Sequence, residues 1–424
     1  MKKRFAAVVL ALFAVIGSHC ADYDFNIFNG TMDFATMEQM DLDYQSSTRI
    51  LNRFIFNSIG DVELWGWFKP ADLIIWSYPS LSMAITHEEG HRSILTAKSI
   101  GSISQPVFNG HGAAYVKGVT DATLSNLRVT DKPSFIRMYT AGIESDYVNV
   151  RRDEEVSFMY GDEYRGLWPD LAIRVLSISN YYCIPALFYD KYDLDIDNFL
   201  FNYSVSSLSL TEEENELERD ICGLDVFGAV HYLFNDSSDF KRYVQWSDFS
   251  KGEKDFLIDR VLMKSYINFV NPSLFGFSSF HIGEDVKLNG SMGYTMCPFG
   301  DFIDENVYFA YKDFNFVLYT REFENLNNWS MGFGLKFLDY KPVNWLKLSA
   351  EGHFWMQPEN LDFYTDKMVP GGAGKVIVTF MLPEVEQKSI GFNLSLLFKG
   401  KGYLPEIESH DQLWRFTTGV TLRY

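Results

Sequence analysis

The pattern of hydrophobic and polar residues changes near residue 271 from a mainly helical period to strict alternation. Trp329 and Phe333 share one face of an alternating stretch, while Ser330 and Lys336 share the other. A period of two is typical of a β-strand that has one apolar and one polar face. The C-terminal part is therefore predicted to be antiparallel β-sheet, and the part before it mainly helix.

Eight alternating stretches predict strands, at 286–297, 305–312, 314–323, 329–337, 344–355, 373–382, 390–398 and 414–424. About nine to eleven tilted residues suffice for a strand to cross a bilayer. A further stretch near 274–282 is either a lead-in or an additional strand. A soluble β-sandwich would also alternate, but aromatic residues at the strand ends and small or polar residues on the opposite face favour a membrane β-barrel of eight strands over 272–424.

The last alternating stretch ends on an aromatic residue, Tyr424. This resembles the C-terminal strand of bacterial outer-membrane proteins, in which a terminal aromatic is part of the assembly signal. The resemblance implies a location in the cell outer membrane, with its lipid as a partner. Barrels with an even number of strands keep both termini in the periplasm, so the helical half is expected to face the periplasm. Such a small barrel is filled by its own side chains, which favours an anchor over a channel.

The N-terminus has the pattern of a secretory signal peptide. Three basic residues precede an apolar run at 5–16, and small or weakly polar residues follow it. The run is too short to span a bilayer as a helix. We therefore assign 1–21 to a signal peptide, 22–271 to a mainly helical domain and 272–424 to the barrel.

The charge of the chain bears on its partners. A formal net charge of -19 over 424 residues argues against a nucleic-acid partner, because phosphate-binding surfaces need clustered Lys and Arg. The oligomeric state is left open.

A metal-binding pattern lies in the predicted helix at 79–95. His87 and His91 are four residues apart, hence one turn apart on the same face, where two imidazoles can take adjacent corners of a tetrahedral zinc. Glu88 is then placed to take a proton from a zinc-bound water. The alternative is two solvated histidines, but the apolar residues around them indicate a buried helix.

The run His87-Glu88-Glu89-Gly90-His91 resembles the active-site helix of zincin metallopeptidases. In the gluzincin group a glutamate on a later helix is the third ligand, and the resemblance implies Glu144, in the predicted helix at 134–156, for that role. The number of residues between His91 and Glu144, and the residues that flank Glu144, differ from those of the best-known gluzincins. Other residues therefore remain candidates for the third ligand: Asp146, His111, Asp225 and His231.

Residues near Glu144 support a close crossing of the two helices. Ala141 and Gly142 have little or no side chain, so the second helix can approach the first along that face. Asp146 is placed to hydrogen-bond a ligand histidine, which fixes its tautomer.

Three residues are candidates for stabilising an oxyanion: His111, Tyr115 and Tyr139. The first two belong to the stretch 109–116, which is either a strand edge that holds a substrate backbone or a Gly-rich loop. His231 is interpreted as a hydrogen-bonded core histidine more readily than as a ligand.

The fold class expected from these patterns is α+β, a mainly helical zincin-like domain followed by an antiparallel membrane barrel. The expected function is that of a zinc-dependent outer-membrane peptidase with peptide or protein substrates. One alternative is a structural or binding barrel with a non-catalytic N-terminal domain. Another is a zinc hydrolase that acts on something other than peptides.

Overall fold

The computed structural model describes residues 21–29, 35–63, 69–106, 114–187, 213–235, 239–385 and 388–423. The predicted signal peptide, apart from Ala21, lies outside the described residues. So do two residues singled out above, His111 and Tyr424.

The helices are concentrated in the first two thirds of the chain. They are α1 (Met37–Ile59), α2 (Pro70–Ser77), α3 (Pro79–Ala97), α4 (Asp121–Thr130), α5 (Lys132–Met159), α6 (Tyr164–Leu187) and α7 (Asp225–Phe234). After α7, a stretch of helical turns comprises Trp246–Asp248, Lys251–Asp255, the π-helical Phe256–Leu262, Met263–Ser265, Tyr266–Phe269 and Pro272–Phe275. None of the described helices is both long and apolar enough to cross a membrane.

Helix ends coincide with capping residues in the sequence. The side chain of Thr36 accepts a hydrogen bond from Gln39 N at the start of α1, and Asp131 accepts one from Ser134 N at the start of α5. Pro79 lies in the first turn of α3, where its missing N–H is not needed. The predicted helices at 79–95 and 134–156 are thus confirmed as α3 and α5, each slightly longer than predicted.

Twelve strands are present among the described residues. Two short ones, β2 (Ile103–Gln105) and β3 (Tyr115–Lys117), pair with each other. The other ten form one sheet: β1 (Asp22–Asn29), β4 (Phe280–Ile282), β5 (Val286–Cys297), β6 (Gly300–Tyr311), β7 (Phe314–Glu324), β8 (Trp329–Val343), β9 (Leu346–Pro358), β10 (Met368–Met381), β11 (Ser389–Lys399) and β12 (Leu413–Arg423). All eight strands predicted from alternation are confirmed, and the stretch near 274–282 contributes β4.

The large sheet is antiparallel and follows an up-and-down order from β4 to β12. β1 then pairs with β12, with Asp22 opposite Arg423, so the N-terminal part of the chain also contributes a strand. β1 and β4 are the two ends of the sheet, and they do not pair with each other among the described residues. The architecture is therefore α+β with a ten-stranded open sheet.

Helical residues cover both edges of the sheet. On β1, Asn26 N donates to Asp43 of α1 and Asn26 O accepts from Gln39 of the same helix. At the other edge, Tyr294 N of β5 donates to the side chain of Asn268, and Met296 N contacts the hydroxyl of Tyr182. Unpaired backbone groups of an edge strand can pair with a strand of another chain. These contacts occupy such groups and so prevent further strands from adding to the sheet.

The concave side of the sheet holds helices and is polar. Strand side chains there bond to buried groups of α1 and α5: Ser291 and Tyr308 to Glu154, Asp304 to Tyr147, Lys336 to Glu155, and Lys375 to Glu38. Because buried charges are costly unless they are paired, this network fixes the sheet around the central helix α5.

The opposite side of the sheet is apolar and exposed. Each strand from β6 to β12 places a large apolar side chain outward: Val307, Leu318, Phe333, Phe354, Val376, Leu394 and Phe416. The two faces predicted for the alternating stretches are present, with the polar face buried and the apolar face exposed. This is the reverse of a soluble sheet, which covers its apolar face.

Helices and sheet share one core. A single cluster of buried apolar residues extends from Met37 in α1 through α3, α5 and α7 to Ile407, between β11 and β12. The range 22–271 therefore contributes β1 and the helices inside the sheet, and it packs with 272–424 as one unit.

Small residues from both helices lie at the crossing of α3 and α5. A Cβ atom added to Gly90 would lie under 3.0 Å from the carbonyl oxygen of Ala141. The backbones of the two helices are thus in direct contact, as Ala141 and Gly142 led us to expect.

We predict that Gly90→Ala lowers the free energy of unfolding by about 1–3 kcal/mol, because one methyl group must push the helices apart. Gly101→Ala is the control, since its Cβ would meet no atom within 4 Å. Chemical denaturation of both variants checks this. Equal stability of the two variants would contradict the close crossing.

Candidate metal site

The two histidines of the predicted motif are buried at the crossing of α3 and α5. His87 is 4% exposed and His91 is 2% exposed. Their ring centroids are 5.0 Å apart, as expected for residues one helical turn apart on the same face. The possibility that both histidines are solvated is therefore excluded.

Gly142 of α5 lies against both imidazoles. An added Cβ at this position would come within 2.5 Å of His91 Nε2 and closer still to His87 Nε2. The glycine thus leaves the space in front of both Nε2 atoms open, and any larger residue would fill it.

Asp225, in the first turn of α7, is the third donor. Its Oδ2 lies 3.1 Å from His87 Nε2 and 3.4 Å from His91 Nε2. One ligand atom from each of the three residues lies within 4.8 Å of the others, and all three residues are buried. Two imidazoles and a carboxylate form a donor set typical of zinc, so this group can bind a metal ion.

Hydrogen bonds on the far side of each ring orient the imidazoles. His87 Nδ1 lies 2.9 Å from Asp146 Oδ2, and Asp146 in turn accepts from Arg174 at 2.7 Å. His91 Nδ1 donates to the carbonyl of Met138 at 2.5 Å. These contacts direct both Nε2 atoms toward Asp225, as outer partners of metal-bound histidines do. The hydrogen bond predicted for Asp146 is present.

Charges in the site are strongly coupled. Burial alone would lower the pKa of His87, but Asp146 and Asp225 raise it well above its usual value. Burial likewise opposes ionisation of Asp225, yet His91 and His87 lower its pKa to about 2. The carboxylates therefore require positive charge beside them, which either protons on the imidazoles or a divalent cation can supply.

Glu88 and Glu89 have different environments although they are adjacent. Burial raises the pKa of Glu88 to about 7, against the opposing effect of the two histidines. Glu89 instead pairs with Arg92 one turn further along α3, at 2.5 Å. Only Glu88 is thus electrostatically part of the histidine cluster.

The structure does not bring Glu144 to the histidines. Both of its oxygens contact Arg137, at 2.6 and 3.1 Å, and one of them also accepts from Glu406 N. The reason is helical rotation, since Glu144 is two positions after Gly142 and about 100° per residue puts it on nearly the opposite face of α5. Asp225, which the sequence left open as a substitute, takes its place.

Tyr181 of α6 was missed by the sequence analysis. Its hydroxyl lies 3.1 Å from His87 Nε2, and its ring stacks on that imidazole with centroids 5.1 Å apart. No motif marks this residue, and only the packing of α6 beside α3 reveals it.

The remaining candidates lie apart from the histidines. Tyr139 is buried, with its hydroxyl 3.5 Å from the carbonyl of Arg242 and its ring against Tyr232. Tyr115 is in β3, the strand that forms within the stretch proposed as a substrate edge. His231 contacts Glu253 at 2.9 Å, which confirms its interpretation as a hydrogen-bonded core residue.

Comparison with other proteins gives no relative for this arrangement. No protein-family model, no curated protein and no solved structure matches the chain. The function is therefore inferred from the site itself.

We predict that Asp225→Asn lowers zinc affinity by more than about 100-fold, because the loss of outer-shell partners alone typically costs 10–100-fold. Glu144→Gln, the control, should bind zinc at wild-type stoichiometry per folded molecule. Titration with a zinc-competing dye measures both affinities. Weak binding by the Glu144 variant together with normal binding by the Asp225 variant would reverse the assignment.

Proposed function

We propose that this protein is a zinc-dependent peptidase of the bacterial outer membrane. The observation that carries the enzymatic part is the convergence of His87, His91 and Asp225 on one point, with Glu88 on the same helix. The membrane part rests on the reversed polarity of the sheet.

The spacing of His87 and His91, with Glu88 beside them, favours zinc, whereas two histidines and one carboxylate alone would also suit non-haem iron(II). Two neutral imidazoles and one carboxylate leave a fourth position free, as in catalytic rather than structural zinc sites. A zinc ion bound here would supply an acidified water and would polarise a scissile carbonyl group. The likeness to zincins is thus kept in the motif helix, while the third ligand is an aspartate rather than a glutamate.

Glu88 is the residue proposed to move the proton. It follows His87 directly on α3 and interacts electrostatically with both histidines, which favours a position beside the proposed metal. In this role it accepts a proton from water and delivers it to the leaving amine.

Tyr181 is proposed to assist at the fourth position. Its hydroxyl lies next to the atom of His87 that would bind the metal. A phenol at that place can donate a hydrogen bond to the oxygen that becomes negative as the peptide carbonyl is attacked. It replaces Tyr139, Tyr115 and His111 as our candidate for this task.

The outward face of the sheet is proposed to contact lipid. Exposed aromatic residues occur toward both ends of the strands, with Trp329 and Trp414 at one end and Tyr311, Phe314, Trp345 and Phe380 at the other. Aliphatic side chains such as Leu318 and Leu394 lie between them. Two aromatic girdles around an apolar band are the signature of outer-membrane sheets.

The helices at the edges of the sheet fit the same proposal. Apart from Asp72, whose side chain is 40% exposed and pairs with Arg165, the described exposed residues of α1, α2, α3 and the part of α6 at 166–183 carry no charge. The largest of them are Leu51, Phe54, Leu73, Trp76 and Leu176. We infer that these helices complete the lipid-facing surface where β1 and β4 leave the sheet open.

Replacing Glu88 with Gln should leave zinc binding intact and abolish peptidase activity, by at least about 100-fold, as expected when a general base is lost. Glu89→Gln is the matched control, because Glu89 pairs with Arg92 and should be dispensable. Hydrolysis of a quenched fluorescent peptide library measures both. Full activity of the Glu88 variant would reject the hydrolase mechanism and favour a binding or structural role.

Leu394→Arg, in the middle of β11, should destabilise the protein in phospholipid vesicles by about 2–4 kcal/mol, the cost of a cation near the bilayer midplane. Val129→Arg on α4 is the control, because Val129 is 76% exposed on a helix outside the lipid-facing surface. Unfolding in vesicles is the measurement. An effect of Leu394→Arg no larger than that of the control would contradict lipid contact.

A further inference from the structure

The strand registers define two ends of the sheet. Asp22 of β1 pairs with Arg423 of β12, and Ser389 of β11 pairs with the same arginine. The start of β1, the start of β11 and the end of β12 therefore lie at the same end of the sheet. The strand connections at this end, here called the terminal end, are 283–285, 312–313, 344–345 and 382–388.

The connections at the other end, here called the loop end, are 298–299, 325–328, 359–367 and 400–412. The last two, of nine and thirteen residues, are longer than any connection at the terminal end, while the first two are short. Outer-membrane sheets have short turns on the periplasmic side and longer loops outside the cell. The two long connections therefore assign the loop end to the cell exterior.

The central helix α5 runs from the loop end to the terminal end. Near its start, Arg137 donates to the carbonyl groups of Leu404 and Ile407 in the 400–412 loop. At its end, Tyr160 contacts Asp339, and Lys287 donates to the carbonyl of Phe158. The position of a residue along α5 therefore indicates how far it lies from the loop end of the sheet.

The metal site lies toward the loop end of α5. His91 bonds to the carbonyl of Met138 and both imidazoles lie against Gly142, in the first half of the helix. Asp225 is carried by α7, and the last residue of α7, Phe234, accepts a hydrogen bond from Tyr364 of the 359–367 loop. The long loops thus adjoin α7, which holds Asp225, and the start of α5, which lies against both histidines.

We propose that the metal site opens to the outside of the cell and that its substrates are extracellular proteins or peptides. This inference rests on the proposed outer-membrane location. The expectation of a periplasmic site assumed that the helices precede the barrel as a separate domain. Because the helices instead share a core with the sheet, the end of the sheet beside which they lie sets the side of the membrane that they face.

Accessibility of single engineered cysteines on intact cells tests the proposal with the full-length protein. Asp366 in the 359–367 loop and Val385 in the 382–388 connection are both exposed. Asp366→Cys should react with a membrane-impermeant maleimide on intact cells, whereas Val385→Cys should react only after the outer membrane is permeabilised. The unsubstituted protein supplies the background.

The outcomes separate the two proposals. Reaction of Val385→Cys but not Asp366→Cys on intact cells would overturn the exterior assignment while leaving the membrane location in place. Release of the protein by osmotic shock in soluble form, with neither variant labelled on intact cells, would overturn both. Cleavage of an added impermeant peptide by intact cells, lost in Glu88→Gln, would support the exterior site independently of labelling.

Discussion

The direct backbone contact between α3 and α5 is the constraint on which the site depends. Gly90 and Gly142 leave no side chain in the crossing, so His87 and His91 lie against α5 rather than against solvent. The same face of α5 presents Asp146 one turn later, which holds His87 in position. A side chain at either glycine would separate the helices and misplace both imidazoles. The geometry of the metal site is therefore set by the absence of two side chains.

The second constraint is the charge enclosed by the sheet. Paired carboxylates, lysines and arginines line its concave side, and they are buried only because α1 and α5 supply partners such as Glu38, Glu154 and Glu155. The apolar residues of the same strands must then point outward, by the alternation of a strand. The partners supplied by α1 and α5 thus account for both the polar face and the apolar face of the sheet.

Local patterns in the sequence predicted what depends on neighbouring residues. Strands β5–β12 and helix α3 follow from alternation and from the spacing of His87 and His91. The third ligand did not, because Asp225 reaches the histidines only through the packing of α7, and because Glu144 lies about 200° around α5 from Gly142. β1 alternates too, since Asp22 and Asp24 alternate with Tyr23 and Phe25. Its pairing with β12 joins opposite ends of the chain, which no local pattern indicates.

The central claim is that His87, His91 and Asp225 bind one zinc ion. Anomalous X-ray scattering at the zinc edge, from crystals of the zinc-loaded protein, tests it most directly. The account predicts one peak at about 2.0–2.2 Å from Nε2 of each histidine and from a carboxylate oxygen of Asp225. A protein that folds normally but shows no peak there, or shows its peak at other residues, would contradict it.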